Sequence, residues 1–165
     1  MQYLIVLSFI IVYSVFDKSL GFSTTSPLNT HLTYMFQHAS LMHLVLNSIS
    51  FVILFKVLTI YVNKHKMFLS VLAIGFVASF FSEHLLPTVG ASSMIYAMVG
   101  MLYGLVCRKK LEFEDKKYIY LNLVTLLIYL TMSYLIKNSN FSIHFISLVM
   151  GFIVGVGLPK YLKNN

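Results

Sequence analysis

Apolar stretches about the length of a bilayer-spanning helix, each closed off by a short polar run, constrain this chain more than any other feature. A bilayer core ~30 Å thick takes ~20 residues of α-helix. A backbone in lipid must satisfy its own hydrogen bonds, so such stretches are read as helices. Six are expected: Met1 to Phe16, Leu41 to Val62, Met67 to Leu86, Ala91 to Cys107, Tyr118 to Ile136 and Phe141 to Leu158. The composition agrees, since 58% hydrophobic against 10% charged residues is far more apolar than a soluble domain. The chain is therefore expected to be an all-α, multi-pass integral membrane protein of six transmembrane helices, forming a single domain over residues 1–165.

The first stretch has the apolar core of a signal peptide but neither a basic leader nor a small-x-small cleavage site, so a retained helix is expected. The single cysteine, Cys107, excludes an internal disulfide and is expected to serve packing. A net charge of +7 would suit nucleic acid, but the basic residues sit at span edges and form no patch with interleaved aromatics, so no nucleic-acid partner is expected. Their distribution sets orientation instead. With the N-terminus inside, the inner connections carry Lys64, Lys66, Arg108, Lys109, Lys110, Lys116 and Lys117, the tail adds Lys160 and Lys163, and only Lys18 and Lys137 fall outside. Lys56, late in the second span, can snorkel to the inner surface. The positive-inside rule thus places both termini on the cytoplasmic side.

Polar side chains are costly in a bilayer interior, so His, Asn and Ser within the spans mark where function is sought. His43 and Asn47 lie early in the second span, Ser92 opens the fourth and His144 is near the start of the sixth. All even-numbered spans start on the outer side, which puts these groups at similar depth. His43 and Asn47, four residues apart, share one helix face; they serve either to join helices or to converge on one atom. His38 and His31 precede that helix and, lacking an evident partner, are expected at the interface. Glu83 and His84, near the end of the third span, are read the same way. Ser92 lies in Gly90-Ala91-Ser92-Ser93, where it is either a helix N-cap or a nucleophile whose oxyanion the helix amides would stabilise. The helices of Ser92 and His144 each carry small residues at helical spacing, Ser92, Tyr96, Gly100, Gly104 and His144, Ser147, Gly151, Gly155. Such faces let helix backbones approach closely in lipid, which would bring the serine to a base it needs for activation.

From about Thr33 to Gly155 the chain resembles the rhomboid family of intramembrane serine proteases. His38-Ala-Ser-Leu-Met-His43-Leu-Val-Leu-Asn47 is similar to the family's second-helix signature, Gly90-Ala-Ser92-Ser93-Met-Ile-Tyr96 to its nucleophile motif, and His144-Phe-Ile-Ser147-Leu-Val-Met-Gly151 to its last-helix motif. The resemblance implies a rhomboid-like bundle and a serine endopeptidase acting on transmembrane proteins near the outer face of the bilayer. It implies a dyad of Ser92 as nucleophile and His144 as base. His43, Asn47 and the Ser92 backbone amide would hold the oxyanion, with Tyr96, Gly90 and His38 in support. It implies no cofactor and no metal, and no metal-ligand spacing such as His-Glu-x-x-His is present. A bacterial-type inner membrane is the expected location. The chain departs from the family pattern at Ser93 and Ser147, where glycine is usual, and in a short first loop with no Trp-Arg pair. Two rivals follow from the same residues: an inactive member that binds or escorts membrane proteins, and a small transporter or channel lined by His and Asn.

Overall fold

A computed structural model describes residues 1–17, 20–82, 87–108, 127, 131, 134 and 139–158. Its helices are α1 (Gln2–Val15), α2 (Thr30–Thr33) running into a 3-10 turn (Tyr34–Phe36), α3 (Leu41–Leu58), α4 (Lys64–Ser79), α5 (Ser92–Cys107) and α6 (Phe141–Gly157). Among the described residues the only extended pairing is an isolated antiparallel bridge between Phe22 and Thr88.

The helix ends follow local chemistry. Ser40 caps α3 by accepting from the His43 amide at 3.2 Å, and Asn63 caps α4 by accepting from His65 and Lys66 at 3.0 and 3.3 Å. The helix of the second expected span, α3, stops at Leu58, short of Val62, because the Thr59 hydroxyl donates back to Phe55 and Lys56 carbonyls and the chain turns toward the Asn63 cap. That cap also starts α4 at Lys64, ahead of Met67. Residues 83–86, the end of the expected third span with Glu83 and His84, lie outside the described residues. So do most of the fifth span, of which Leu127, Thr131 and Tyr134 are helical, and Lys18, Lys109, Lys110, Lys116, Lys117, Lys137, Lys160 and Lys163.

α3 is the one described helix long and apolar enough to cross a membrane by itself; α1, α5 and α6 are apolar but shorter. The apolar residues face two ways. Phe9, Phe51, Phe55, Met35, Met94 and Met98 fill a fully buried core, while Leu4, Leu7 and Ile11 of α1 and Leu41, Leu46, Ile49 and Ile53 of α3 point outward and stay exposed. An exterior this apolar suits lipid, not water. Phe9 packs against Phe36, His38 and Phe51, so α1 is part of the core. Near the start of α1 the Lys56 ammonium lies 5.6 Å from the Tyr3 ring centroid, a cation–π contact.

The small-residue faces of α5 and α6 meet. A methyl added at Gly100 would strike the backbone of Leu148 and Phe152, at Gly104 that of Phe152 and Val156, at Gly151 that of Ala97, and at Gly155 that of Met101. The two backbones therefore touch, which only hydrogen in place of a side chain permits. At the end opposite Ser92 the Arg108 guanidinium donates to the Val156 carbonyl at 2.5 Å, joining α5 to the last turn of α6. Cys107 does not pack as expected: it is exposed, on the last residue of α5, where the neighbouring arginine makes the interhelix contact.

Gly100→Ala and Gly151→Ala are expected to destabilise the fold by about 1–3 kcal/mol each, read as a lower thermal midpoint in detergent. Gly157→Ala, with nothing within 4 Å of the added methyl, is the matched control and leaves the midpoint unchanged.

Candidate functional site

Three helix N-termini converge at one end of the bundle. Gly90 makes the approach to α5 possible. Its φ of +126° is open to glycine, and a methyl there would lie 2.6 Å from His43 Cε1 and 3.2 Å from Asn47 Nδ2. His43 and Asn47, on one face of α3, thus both reach the Gly90 backbone, two residues before Ser92. The turn is held in place from the preceding segment: the Gly90 amide donates to the Tyr34 carbonyl at 2.9 Å and the Ala91 amide to His38 Nε2 at 3.5 Å.

Ser92 does not cap its helix. The N-cap of α5 is Ala91, which makes no side-chain cap bond, and Ser92 is the first helical residue. Its hydroxyl is engaged instead with His144 Nε2 at 2.7 Å. The His144 ring stacks on Tyr96 from the next turn of α5, with centroids 4.4 Å apart and planes 20° apart, so ring packing fixes the imidazole. Asn47 is buried, and its Nδ2 has no hydrogen-bond partner among the described residues. A buried donor left unpaired is costly in a folded protein, and here it stands beside the turn that leads into Ser92. The amides at the start of α5 add further positive potential at the same point.

Ser93, the neighbouring hydroxyl, is fully buried on a different side of α5, where its Oγ lies next to Gly75 of α4. Adjacent residues on a helix project ~100° apart, so one of the pair faces His144 and the other faces α4. Ser147 is fully buried in the α5–α6 interface with its Oγ unpartnered among the described residues, so the hydroxyl in place of glycine is accommodated without a hydrogen bond there.

His38 and His31, expected at the interface, are buried in the core. His38 lies 5.3 Å from Phe9 and 5.2 Å from His43 by ring centroids. His31 Nδ1 is 2.6 Å from Ser79 Oγ, with the Phe22 and Phe80 rings 4.1 and 4.2 Å away. This second Ser–His pair differs from the first in chemistry. Ser79 Oγ already donates to the Phe76 carbonyl, so its remaining bond accepts the His31 N–H, and the serine has no proton to give the ring. It also sits at the C-terminal end of α4, where the helix dipole disfavours an alkoxide.

Buried loop residues with no motif to announce them complete the bracing. Gln37 accepts from the Leu20 amide and donates to the Phe16 and Asp17 carbonyls, tying the first loop to the end of α1. Tyr34 donates to the Gly75 carbonyl at 2.9 Å. Asn140 reaches Ser82, Thr88 and the Ile143 amide. Their sequence signal is weak: Asn140 immediately precedes the apolar α6, while Tyr34 and Gln37 sit in and just after the short turn that leads to α3.

Burial, reinforced by the His43 ring, pushes His38 down to about 4 from an ordinary 6.5. The unfolded chain then takes up a proton that the folded one refuses. Stability is full above 6.5 and falls as the pH drops toward 4, by ~3 kcal/mol at most. His38→Gln, which keeps an acceptor for the Ala91 amide, is expected to flatten this slope in thermal midpoints recorded across that range.

The Rhomboid domain family matches residues 26–164 of the chain. No curated protein matches it.

Proposed function

Since this chain belongs to the rhomboid family, whose members are generally intramembrane serine proteases acting on transmembrane substrates within the bilayer, we propose that it is itself such a protease, with Ser92 as nucleophile and His144 as base. The observation that carries this is the 2.7 Å approach of Ser92 Oγ to His144 Nε2 across two helices.

In this reading His144 Nε2 takes the Ser92 proton as Oγ attacks the scissile carbonyl carbon. The carbonyl electron pair moves onto oxygen, which the Asn47 amide, His43 and the Ser92 N–H receive. A preorganised donor of this kind is worth roughly 3 kcal/mol in serine hydrolases. Collapse of the tetrahedral intermediate breaks the C–N bond, and the proton on His144 passes to the leaving amine. Water, deprotonated by the same histidine, then attacks the acyl carbon, the bond to Ser92 Oγ breaks, and His144 returns the proton to that oxygen. The stack on Tyr96 orients the base by packing.

The rest of the reading follows from the sequence. The apolar stretches of the sequence and their positive edges suit six spans with both termini in the cytoplasm of a bacterial-type cell, which would put the Ser92 end at the outer face of the inner membrane. Water reaches the site there without a deep channel. A transmembrane substrate would be cut near its outer end, where small or helix-breaking residues let it unwind.

Ser92→Ala and His144→Ala are expected to abolish both cleavage of transmembrane substrates in proteoliposomes and labelling by a fluorophosphonate in detergent, while Ser93→Ala retains both. Asn47→Ala should lower the cleavage rate ~10²–10³-fold with little change in midpoint. Labelling that survives in Ser92→Ala would sink the assignment, and a parent that neither labels nor cleaves would favour an inactive, binding member of the family.

A further inference from the structure

Asn140 is buried at the start of α6, and its one side chain joins three parts of the fold. Oδ1 caps α6 by accepting from the Ile143 amide at 3.3 Å. Nδ2 donates to Ser82 Oγ, beyond the end of α4, at 2.5 Å and to Thr88 Oγ1 at 3.0 Å. Both acceptors are themselves fixed. Thr88 is paired with Phe22 through two backbone bonds of 2.9 and 2.6 Å, and Ser82 donates its amide to the carbonyl of Ser79, the residue held by His31.

The positions matter. Thr88 precedes Ser92 by four residues and Asn140 precedes His144 by four, so a single side-chain bond joins the two segments at equal distance from the serine and the histidine. The His144 amide itself bonds the Asn140 carbonyl at 3.3 Å. Glycine faces set how close α5 and α6 come but offer few side chains to stop one helix sliding along the other. A hydrogen-bonded anchor at the end of the pair supplies that stop.

We propose that Asn140 is a positioning residue that sets the height of His144 against Ser92. It acts through Thr88 and Ser82 and touches neither reacting atom. The proposal concerns the geometry of the pair and rests on the proposed function only where activity is the readout.

The test compares Asn140→Ser, which keeps a helix cap but cannot reach both acceptors, with the Ser82→Ala/Thr88→Val double variant, which removes the acceptors and leaves Asn140. Each is expected to lower kcat for a transmembrane substrate about tenfold or more with KM unchanged. Combining them should cost no more than either alone, because they break the same bonds. Full kcat in Asn140→Ser, a change confined to KM, or additive losses in the combination would overturn the proposal. A crystal structure of Asn140→Ser decides it independently of turnover. A Ser92 Oγ to His144 Nε2 separation that widens from 2.7 Å supports positioning, and one that stays there refutes it. If the parent has no activity at all, the proposed function fails, and that distance still judges Asn140. Should Asn140→Ser not fold, Thr88→Val alone breaks the bond from the other side, and the same two readouts apply.

Discussion

Contact between two helix backbones is the constraint on which the rest of this structure depends. α5 and α6 touch along Gly100, Gly104, Gly151 and Gly155, each of which faces a backbone atom of the partner helix. In lipid there is little hydrophobic force to press helices together, so close van der Waals packing must supply it. The consequence is chemical as well as structural. Helices at the usual 8–10 Å separation would leave a serine at the start of one and a histidine at the start of the other out of reach. At glycine distance the side chains of Ser92 and His144 bridge the gap with a hydrogen bond.

The packing around that pair separates two kinds of serine–histidine contact in one small protein. Ser79 and His31 approach as closely as Ser92 and His144, yet the first pair lies at a helix C-terminus, wedged between Phe22 and Phe80, with the serine proton committed to a backbone carbonyl. The second lies at a helix N-terminus, beside a glycine turn and a buried amide donor on Asn47. The two contacts are alike in distance and differ in the groups around them: the Ser79 proton is committed to a carbonyl at a helix C-terminus, whereas Ser92 stands at a helix N-terminus.

A polar belt surrounds this end of the bundle. Gln37 fastens the first loop to α1, Tyr34 holds both the Gly90 amide and the Gly75 carbonyl, and Asn140 joins the starts of the segments that lead to Ser92 and His144. A loop this short has few residues with which to hold three helix ends, and side chains that bond backbone groups do so without a large hydrophobic plug. The side chains of Gln37, Tyr34 and Asn140 are themselves buried, so these bonds satisfy polar groups that would otherwise be buried unpaired.

Much of this was legible in the residues themselves. The apolar stretches, the four-residue spacing of His43 and Asn47 and the glycine rows of α5 and α6 are local patterns, and local patterns fix helices and their faces. The family match over residues 26–164 agrees with the motifs that suggested it. Which hydroxyl of Ser92 and Ser93 turns toward His144, and that His31 and His38 are buried instead of interfacial, depended on where neighbouring helices lie. So did the roles of Gln37, Ser79 and Asn140. The bonds made by Tyr34, His31 and Asn140 span 41, 48 and 58 residues of chain. A sequence pattern reports what recurs within a few turns of one helix, whereas contacts at such separations exist only once the helices have packed. The sequence by itself determined a membrane helical bundle with serine, histidine and asparagine early in its helices and glycine rows able to pair two of them; only the packed structure decided how closely Ser92 and His144 meet, because that distance is set by backbone contacts between helices that the chain order does not make neighbours.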